Sequence, residues 1–215
     1  MLRVLKIGGS LLLREDLLGD LREWFVRQPP AIHVAIAGGG DMINAVRHWD
    51  RLRPSNSADI HWRCVHMLQF SFECLKDSFR KDARWPDLDS IDDHASFQRF
   101  IESIQTFADE ASDSNQANRF ILCNVPAFYR RDVEERPANT RLPESWDTTT
   151  DSIALWLAEQ IAADECVLLK SCEVSDHASL EDLVQSGVID SACSLFTDSQ
   201  FTIRVERLPQ AGTQE

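Results

Sequence analysis

Lys6-Ile7-Gly8-Gly9-Ser10 closes an apolar run at the start of the chain, and a second glycine cluster, Gly38-Gly39-Gly40, closes the next one. A helix N-terminus offers free backbone N–H donors and a partial positive charge, and glycine lets an anion approach those donors closely. Two strand-to-glycine-to-helix junctions, the first with a lysine, point to an anion pocket and so to phosphate chemistry. Two residues from the second half join them. Lys170 ends the apolar run 165–170, and Asp151 opens an apolar helical pattern. A lysine at the end of an apolar strand is costly to leave unpaired, which makes Asp151 its natural partner. Phosphoryl transfer needs positioning, Mg²⁺ on the nucleotide phosphates and fixed positive charge, with little covalent help from the protein. Lys6, Lys170 and the glycine N–H groups can supply that charge, with Asp151 as organiser rather than base. Simpler roles exist for the same residues. Glycine pairs after strands often only make tight turns, and Thr148-x-x-Asp151 fits a capping box whose acid suits the helix dipole. Neither GxxxxGK[ST] nor a GxGxxG after a strand is present. A dinucleotide-binding domain is therefore disfavoured, since it would also give the lysine no role.

The elements that must position these groups follow from hydrophobic periodicity. Residues 2–7 predict a strand, and Leu13, Leu17, Leu18, Leu21 and Phe25 a helix that stops at Pro29-Pro30. Residues 32–37 predict a second strand. A helix over about 41–52 follows, with Met42, Val46 and Trp49 along one side, ended by Pro54 and Ser55-Asn56-Ser57. Val65, Leu68, Phe72, Leu75 and Phe79 mark a long helix, and Phe97, Phe100, Ile101, Ile104 and Phe107 another. Between them Asp82, Asp87, Asp89, Asp92 and Asp93 read as a solvated loop, without the spacing of a metal cage. Loops are expected at 112–118 and 130–146. Strands are expected at 119–123, 165–170 and 200–206. A helix over 151–163, with Ile153, Trp156, Leu157 and Ile161 on one face, and a short one near 179–186 complete the pattern. Apolar strands alternating with helices imply an α/β/α sandwich around a mainly parallel open sheet, in one domain spanning 1–215. Ligands of such sheets bind beyond the strands' carboxyl ends, where Lys6, the Gly38 cluster and Lys170 all sit.

The bulk composition limits the partners. The 215 residues carry a net charge of −13, which excludes the basic footprint of a nucleic-acid binder. An anionic ligand must therefore be caught by a local pocket rather than by the whole-protein field. The six cysteines show no CxxC pair and read as reduced thiols of a cytoplasmic protein. No stretch approaches the ~20 apolar residues of a membrane span, and the N-terminus does not read as a signal peptide.

The segments VLKIGGSLL, AIAGGGD and TTTDSIALWLAEQIAADECVLLKS, in that order, resemble the amino acid kinase family, the fold of acetylglutamate, aspartate, uridylate and isopentenyl phosphate kinases. The resemblance implies ATP with Mg²⁺, and a small-molecule phosphate acceptor. It also implies that Lys6, Gly8, Gly9 and Ser10 hold the nucleotide's phosphates, that Gly38, Gly39 and Gly40 cradle the acceptor, and that Asp151 orients the lysines. A homo-oligomer is expected on the same ground. The family's late Gly-Gly-Met-x-x-Lys segment is missing, and no lysine follows Lys170. Either Lys170 takes over that charge or the chain binds nucleotide without turnover. WDTTTDSIA and LLKS, with Val46-Arg47 and His61-Trp62, look most like the branch that phosphorylates an aminomethylfuran methyl phosphate in methanofuran biosynthesis. That likeness gives Arg47 and His61 contacts to the acceptor phosphate or the furan amine. Their simpler reading is an exposed helix arginine and a capping histidine.

Overall fold

Each of the apolar runs that the periodicity marks as strands joins one sheet in the computed structural model, which describes residues 1–109, 118–131, 140–175 and 177–210. The strands are β1 (Leu2–Ile7), β2 (Ile32–Ala37), β3 (Asp89–Ile91), β4 (Arg119–Cys123), β5 (Glu165–Lys170) and β6 (Thr202–Arg207). They run parallel in the order β3-β4-β2-β1-β5-β6. The chain moves one way from β1 to β2 and the other way to β5, so the order reverses at β1. A parallel α/β sheet opens its ligand crevice at such a reversal, beyond the carboxyl ends of the strands.

Alternation along the strands divides the core in two. Val4, Val34, Ile36, Ile121, Cys166 and Leu168 face one side. Leu5, Ile7, Ala35, Leu122, Val167 and Leu169 face the other. Helix α1 (Leu17–Arg27), capped by Asp16, lays Leu21, Trp24 and Phe25 on the second face. Helix α6 (Thr150–Gln160) lies on the first and is buried at every position from Thr150 to Ala158. The expected single apolar face is thus too narrow a description. α6 is a central helix enclosed on all sides, as a helix apolar all round must be. Helix α3 (Ser57–Lys81) serves both layers, with Trp62, Val65 and Leu68 in one core and Phe72, Leu75 and Phe79 in the other.

Several expectations change. Leu13 is exposed and precedes α1, because the first glycine pair enters only a short 3-10 helix, Gly9–Leu11. Asn56 does not merely end helix α2 (Gly40–Leu52); its side chain caps α3, nine residues upstream of the apolar stripe that marks that helix. The acidic loop contains the edge strand β3, whose three residues are too few to show a period, and Asp92 there pairs with the buried Lys76. Short segments with no periodicity of their own also escape the sequence reading: α5 (Val125–Phe128) and a 3-10 helix at Ser191–Phe196. Helix α4 (His94–Asp109) and helix α7 (Leu180–Gln185), the latter with a Ser179–Asp182 capping box, fall where expected. Positions 112–117 and 132–139 of the expected loops, and the side chain of Phe107, lie outside the described residues. All six cysteines are free. No helix among the described residues is long and apolar enough to cross a membrane.

The amino-terminal end of the sheet carries its own buried charges. Arg3, 1% exposed, pairs with Glu165, and His33 lies beside them against Asn118.

Candidate active site

Register places the two lysines. Lys6 stands opposite Leu168 on β5, two residues before Lys170, and both share the face that α6 covers. The first turn of α6 then brings Asp151 between them. Its Oδ1 lies 2.8 Å from Lys6 Nζ, and its Oδ2 accepts a hydrogen bond of 2.6 Å from Lys170 Nζ. Lys6 and Asp151 are each 5% exposed and Lys170 8%. Burial alone would raise the Asp151 carboxyl, but the two ammoniums outweigh it and hold it below the usual carboxylate range. Burial, and then the like charge of Lys6, pull Lys170 below the ordinary lysine value against the pull of Asp151. Two ammoniums share one carboxylate, so the direct contacts leave one positive charge in surplus. Each ammonium has three donors. Donors beyond those that meet Asp151 are therefore left on both ammoniums.

The glycine elements sit against each other beside this cluster. A Cβ on Gly9 would stand 2.3 Å from the backbone nitrogen of Gly40, which excludes any side chain there. Gly40 has φ +56, a left-handed conformation that glycine adopts without strain. It opens α2, whose N-terminus has no side-chain cap. Gly8 N–H donates to Leu169 O at 3.0 Å, and the Ser10 and Ser171 hydroxyls lie 2.7 Å apart, so the first loop is tied to the end of β5. The second glycine cluster starts an α-helix, as expected; the first enters only the short 3-10 helix and is pinned between β5 and the second.

A cleft of about 220 Å³ opens above the glycines. Gly9, Ser10, Gly39, Gly40, Arg47 and His61 line it, and so do Asn44, Ser145, Trp146 and Thr148–Thr150, which sequence reasoning missed. Lys6, Asp151 and Lys170 do not line it; Thr150 and Ile153 on either side of Asp151 do. The triad thus lies at the border of the cleft rather than in its wall. Spacing on α2 could have found Asn44, since Gly40, Asn44 and Arg47 repeat on one helical face.

Arg47 is not a free surface cation. Its guanidinium lies 4.8 Å from the centre of the Trp146 ring, and the Trp146 indole N–H donates to Asp50 at 2.8 Å. His61 is buried and does not cap. Its Nδ1 donates to the Ser145 carbonyl, which can only accept, at 3.3 Å, and its Nε2 lies 3.2 Å from the Tyr129 hydroxyl. Both ring nitrogens are engaged within the protein, and His61 shapes the wall of the cleft. The cap of α6 is also not the expected one. Thr149 is the N-cap, Thr148 donates to the Pro143 carbonyl at 2.7 Å, and Asp151 turns away to the lysines.

No family model matches the sequence, and no curated protein does. Solved structures do match the fold. A uridylate kinase from Archaeoglobus fulgidus aligns with a TM-score of 0.52 at 18% identity, covering 96% of this chain and 91% of that one. An aspartate kinase from Synechocystis aligns with a TM-score of 0.59 at 11% identity over 98% of this chain, which spans only 39% of that protein. At these identities the likeness is one of fold, and the chain carries the amino acid kinase fold that these two structures share.

Proposed function

We propose that the chain is an ATP-dependent phosphotransferase acting on a small phosphate monoester, and that its acceptor is an aminomethylfuran methyl phosphate converted to the diphosphate. The observation that carries the reading is the buried pair of ammoniums sharing Asp151 at the carboxyl ends of β1 and β5. The kinase names of the two solved structures with this fold agree with it.

In this reaction an acceptor phosphate oxygen attacks the γ-phosphorus of ATP, the bond from that phosphorus to the β,γ-bridging oxygen breaks, and ADP leaves with the electron pair. Charge on the transferring group is met by Lys6 and Lys170, and Asp151 keeps both ammoniums aimed at one place. Mg²⁺ enters on the nucleotide's phosphates. The acceptor occupies the cleft, where the uncapped start of α2 and Arg47 receive its phosphate. At about 220 Å³ the cleft is smaller than the ~300–1,000 Å³ of pockets for drug-sized ligands, which favours a small acceptor. The furan itself rests on the resemblance of WDTTTDSIA and LLKS to that branch of the family.

One observation favours a second acceptor class. An apolar groove of about 350 Å³, lined by Leu12, Leu13, Met42, Phe70 and Leu75, shares Gly9, Gly39 and Gly40 with the cleft. It would suit an isoprenoid monophosphate. The test is ADP release from ATP and Mg²⁺ with each acceptor in turn, against an Asp151→Asn control. Release that depends on the furan phosphate and collapses in the control supports the reading. Release only with the isoprenoid phosphate moves the acceptor to the second class. Nucleotide binding with no release on these or on other phosphate or carboxylate acceptors leaves a non-catalytic binder and overturns the kinase.

A further inference from the structure

Helix α6 begins where an anion would be expected to bind, and the protein fills that place itself. One oxygen of Asp190 accepts four hydrogen bonds: from Thr149 N at 2.9 Å, Thr149 Oγ1 at 2.6 Å, Ser152 N at 3.1 Å and Ser152 Oγ at 3.1 Å. The donors are the cap and first turn of α6. A carboxylate there satisfies orphan N–H groups and meets the positive end of the helix dipole, as a bound phosphate would. The residue comes from 41 positions beyond Thr149, in the turn between α7 and the 3-10 helix at Ser191–Phe196. That turn is itself tied to the loop before α6, since Ala192 N donates to Asp147 O at 3.0 Å and Ser191 Oγ to Asp147 Oδ1 at 3.1 Å.

Asp151 lies between the two residues that Asp190 grips. Whatever fixes Thr149 and Ser152 therefore fixes the backbone from which Asp151 reaches Lys6 and Lys170. We propose that Asp190 is a positioning residue that seals the N-terminus of α6 as an internal anion and so holds Asp151 in register with both lysines. The proposal rests on the kinase reading for its effect on turnover, though not for its effect on the lysines. Burial and the nearby Asp151 charge push the Asp190 carboxyl upward, and the bonds from Thr149 and Ser152 oppose them. The donors at the helix end therefore favour the charged form of Asp190 against a net upward push.

The experiment deletes the carboxylate in the full chain, Asp190→Ala, and offers it back as formate. Turnover is expected to fall about 100-fold with the acceptor KM within about threefold, because a turn displaced by about 1 Å misplaces the reacting groups. Formate is expected to restore part of that turnover and to raise the Tm of the variant but not of the wild type. Acylation of Lys170 by an amine-reactive probe, read by mass spectrometry, is expected to rise about tenfold as Asp151 releases the ammonium and its pKa falls. Turnover within about threefold of wild type, or formate acting alike on both proteins, overturns the proposal. A wild type with no turnover defeats the kinase reading alone, and Lys170 labelling then decides this one: labelling unchanged between the two proteins sinks it. Should the alanine variant not fold, Asp190→Asn, which keeps one acceptor oxygen and loses the charge, carries the same labelling and KM-against-kcat readouts.

Discussion

At the amino-terminal end of the sheet Arg3 meets Glu165, with Arg204 3.5 Å from the other oxygen of Glu165 and from Glu206. At the carboxyl-terminal end, on the opposite face, Lys6 and Lys170 meet Asp151 alone among the described carboxylates. Arg3 and Glu165 are buried, as are Lys6, Lys170 and Asp151, while Arg204 and Glu206 are partly exposed; buried charge is costly unless paired. The first cluster pairs two cations with two anions, uses the planar guanidinium of arginine and holds His33 neutral. The second leaves a cation over and uses lysines, compact charges whose donors can turn to a new partner. Under the proposed function, balance marks the structural cluster and surplus the one that takes a ligand. On that reading the two ends of one sheet separate burial for stability from burial for chemistry.

The comparison is broken most severely by Asp151→Asn. It strands two buried ammoniums side by side, which is expected to cost about 3–5 kcal/mol of folding stability and to abolish turnover. Denaturant unfolding measures the first and ADP release the second. Inorganic phosphate should stabilise this variant more than the wild type, because it supplies the missing charge. An unchanged unfolding midpoint would show that the cluster is not held by electrostatics at all.

How much of this was legible in the sequence follows from what each residue leaves there. Lys6, the two glycine elements and Lys170 lie at the ends of apolar runs, and period and parallel topology suffice to bring them to one edge. Asp151 was legible only as a choice between cap and organiser, since the spacing from Thr148 to Asp151 suits both; the register of β1 on β5 decides it. Asp190 was not legible. Its role depends on a contact across 41 residues, and a lone aspartate before Ser191-Ala192 carries no local pattern. Trp146 hid for the same reason, in a loop where its partners Arg47 and Asp50 come from another helix. The stripe Met42, Val46, Trp49 on α2 was visible but does not form core, for no residue of α2 is buried.

Lys170→Met sharpens the comparison by making the carboxyl end resemble the amino end, one cation to one anion. Turnover is expected to fall about 100- to 1,000-fold, as when one preorganised donor to transition-state charge is lost. Most nucleotide affinity should remain, and folding stability should stay within about 1 kcal/mol because the surplus charge is what was removed. Loss of stability as large as that in Asp151→Asn would contradict the assignment of the surplus. The reciprocal change is Glu165→Gln, which unbalances the amino end. It is expected to cost about 3 kcal/mol on unfolding, by leaving Arg3 buried without its carboxylate, while turnover stays within about twofold. A large drop in turnover would mean that the two ends are coupled through β1 and β5.

The smallest effect tests the neutrality of His33. Burial, and then the Arg3 guanidinium, lower its pKa from an ordinary 6.5 to about 3. Asn118 opposes the shift through its hydrogen bond, and Arg204 adds to it. Phe25, at 4.8 Å between ring centres, Phe120 and Trp24 pack around the ring. The unfolded chain therefore binds a proton that the folded chain refuses between pH 6.5 and about 3. Stability is accordingly full above the unfolded value and falls as the pH drops through that window. By about pH 5 the loss from this residue should be about 1–2 kcal/mol, read as the difference in denaturant midpoint between wild type and His33→Phe. Phenylalanine keeps the aromatic contacts and cannot take up a proton, so the variant's stability should decline less on acidification. Parallel declines in the two proteins would mean that the amino end tolerates a third positive charge, and that its balance of charges is not what distinguishes it from the carboxyl end.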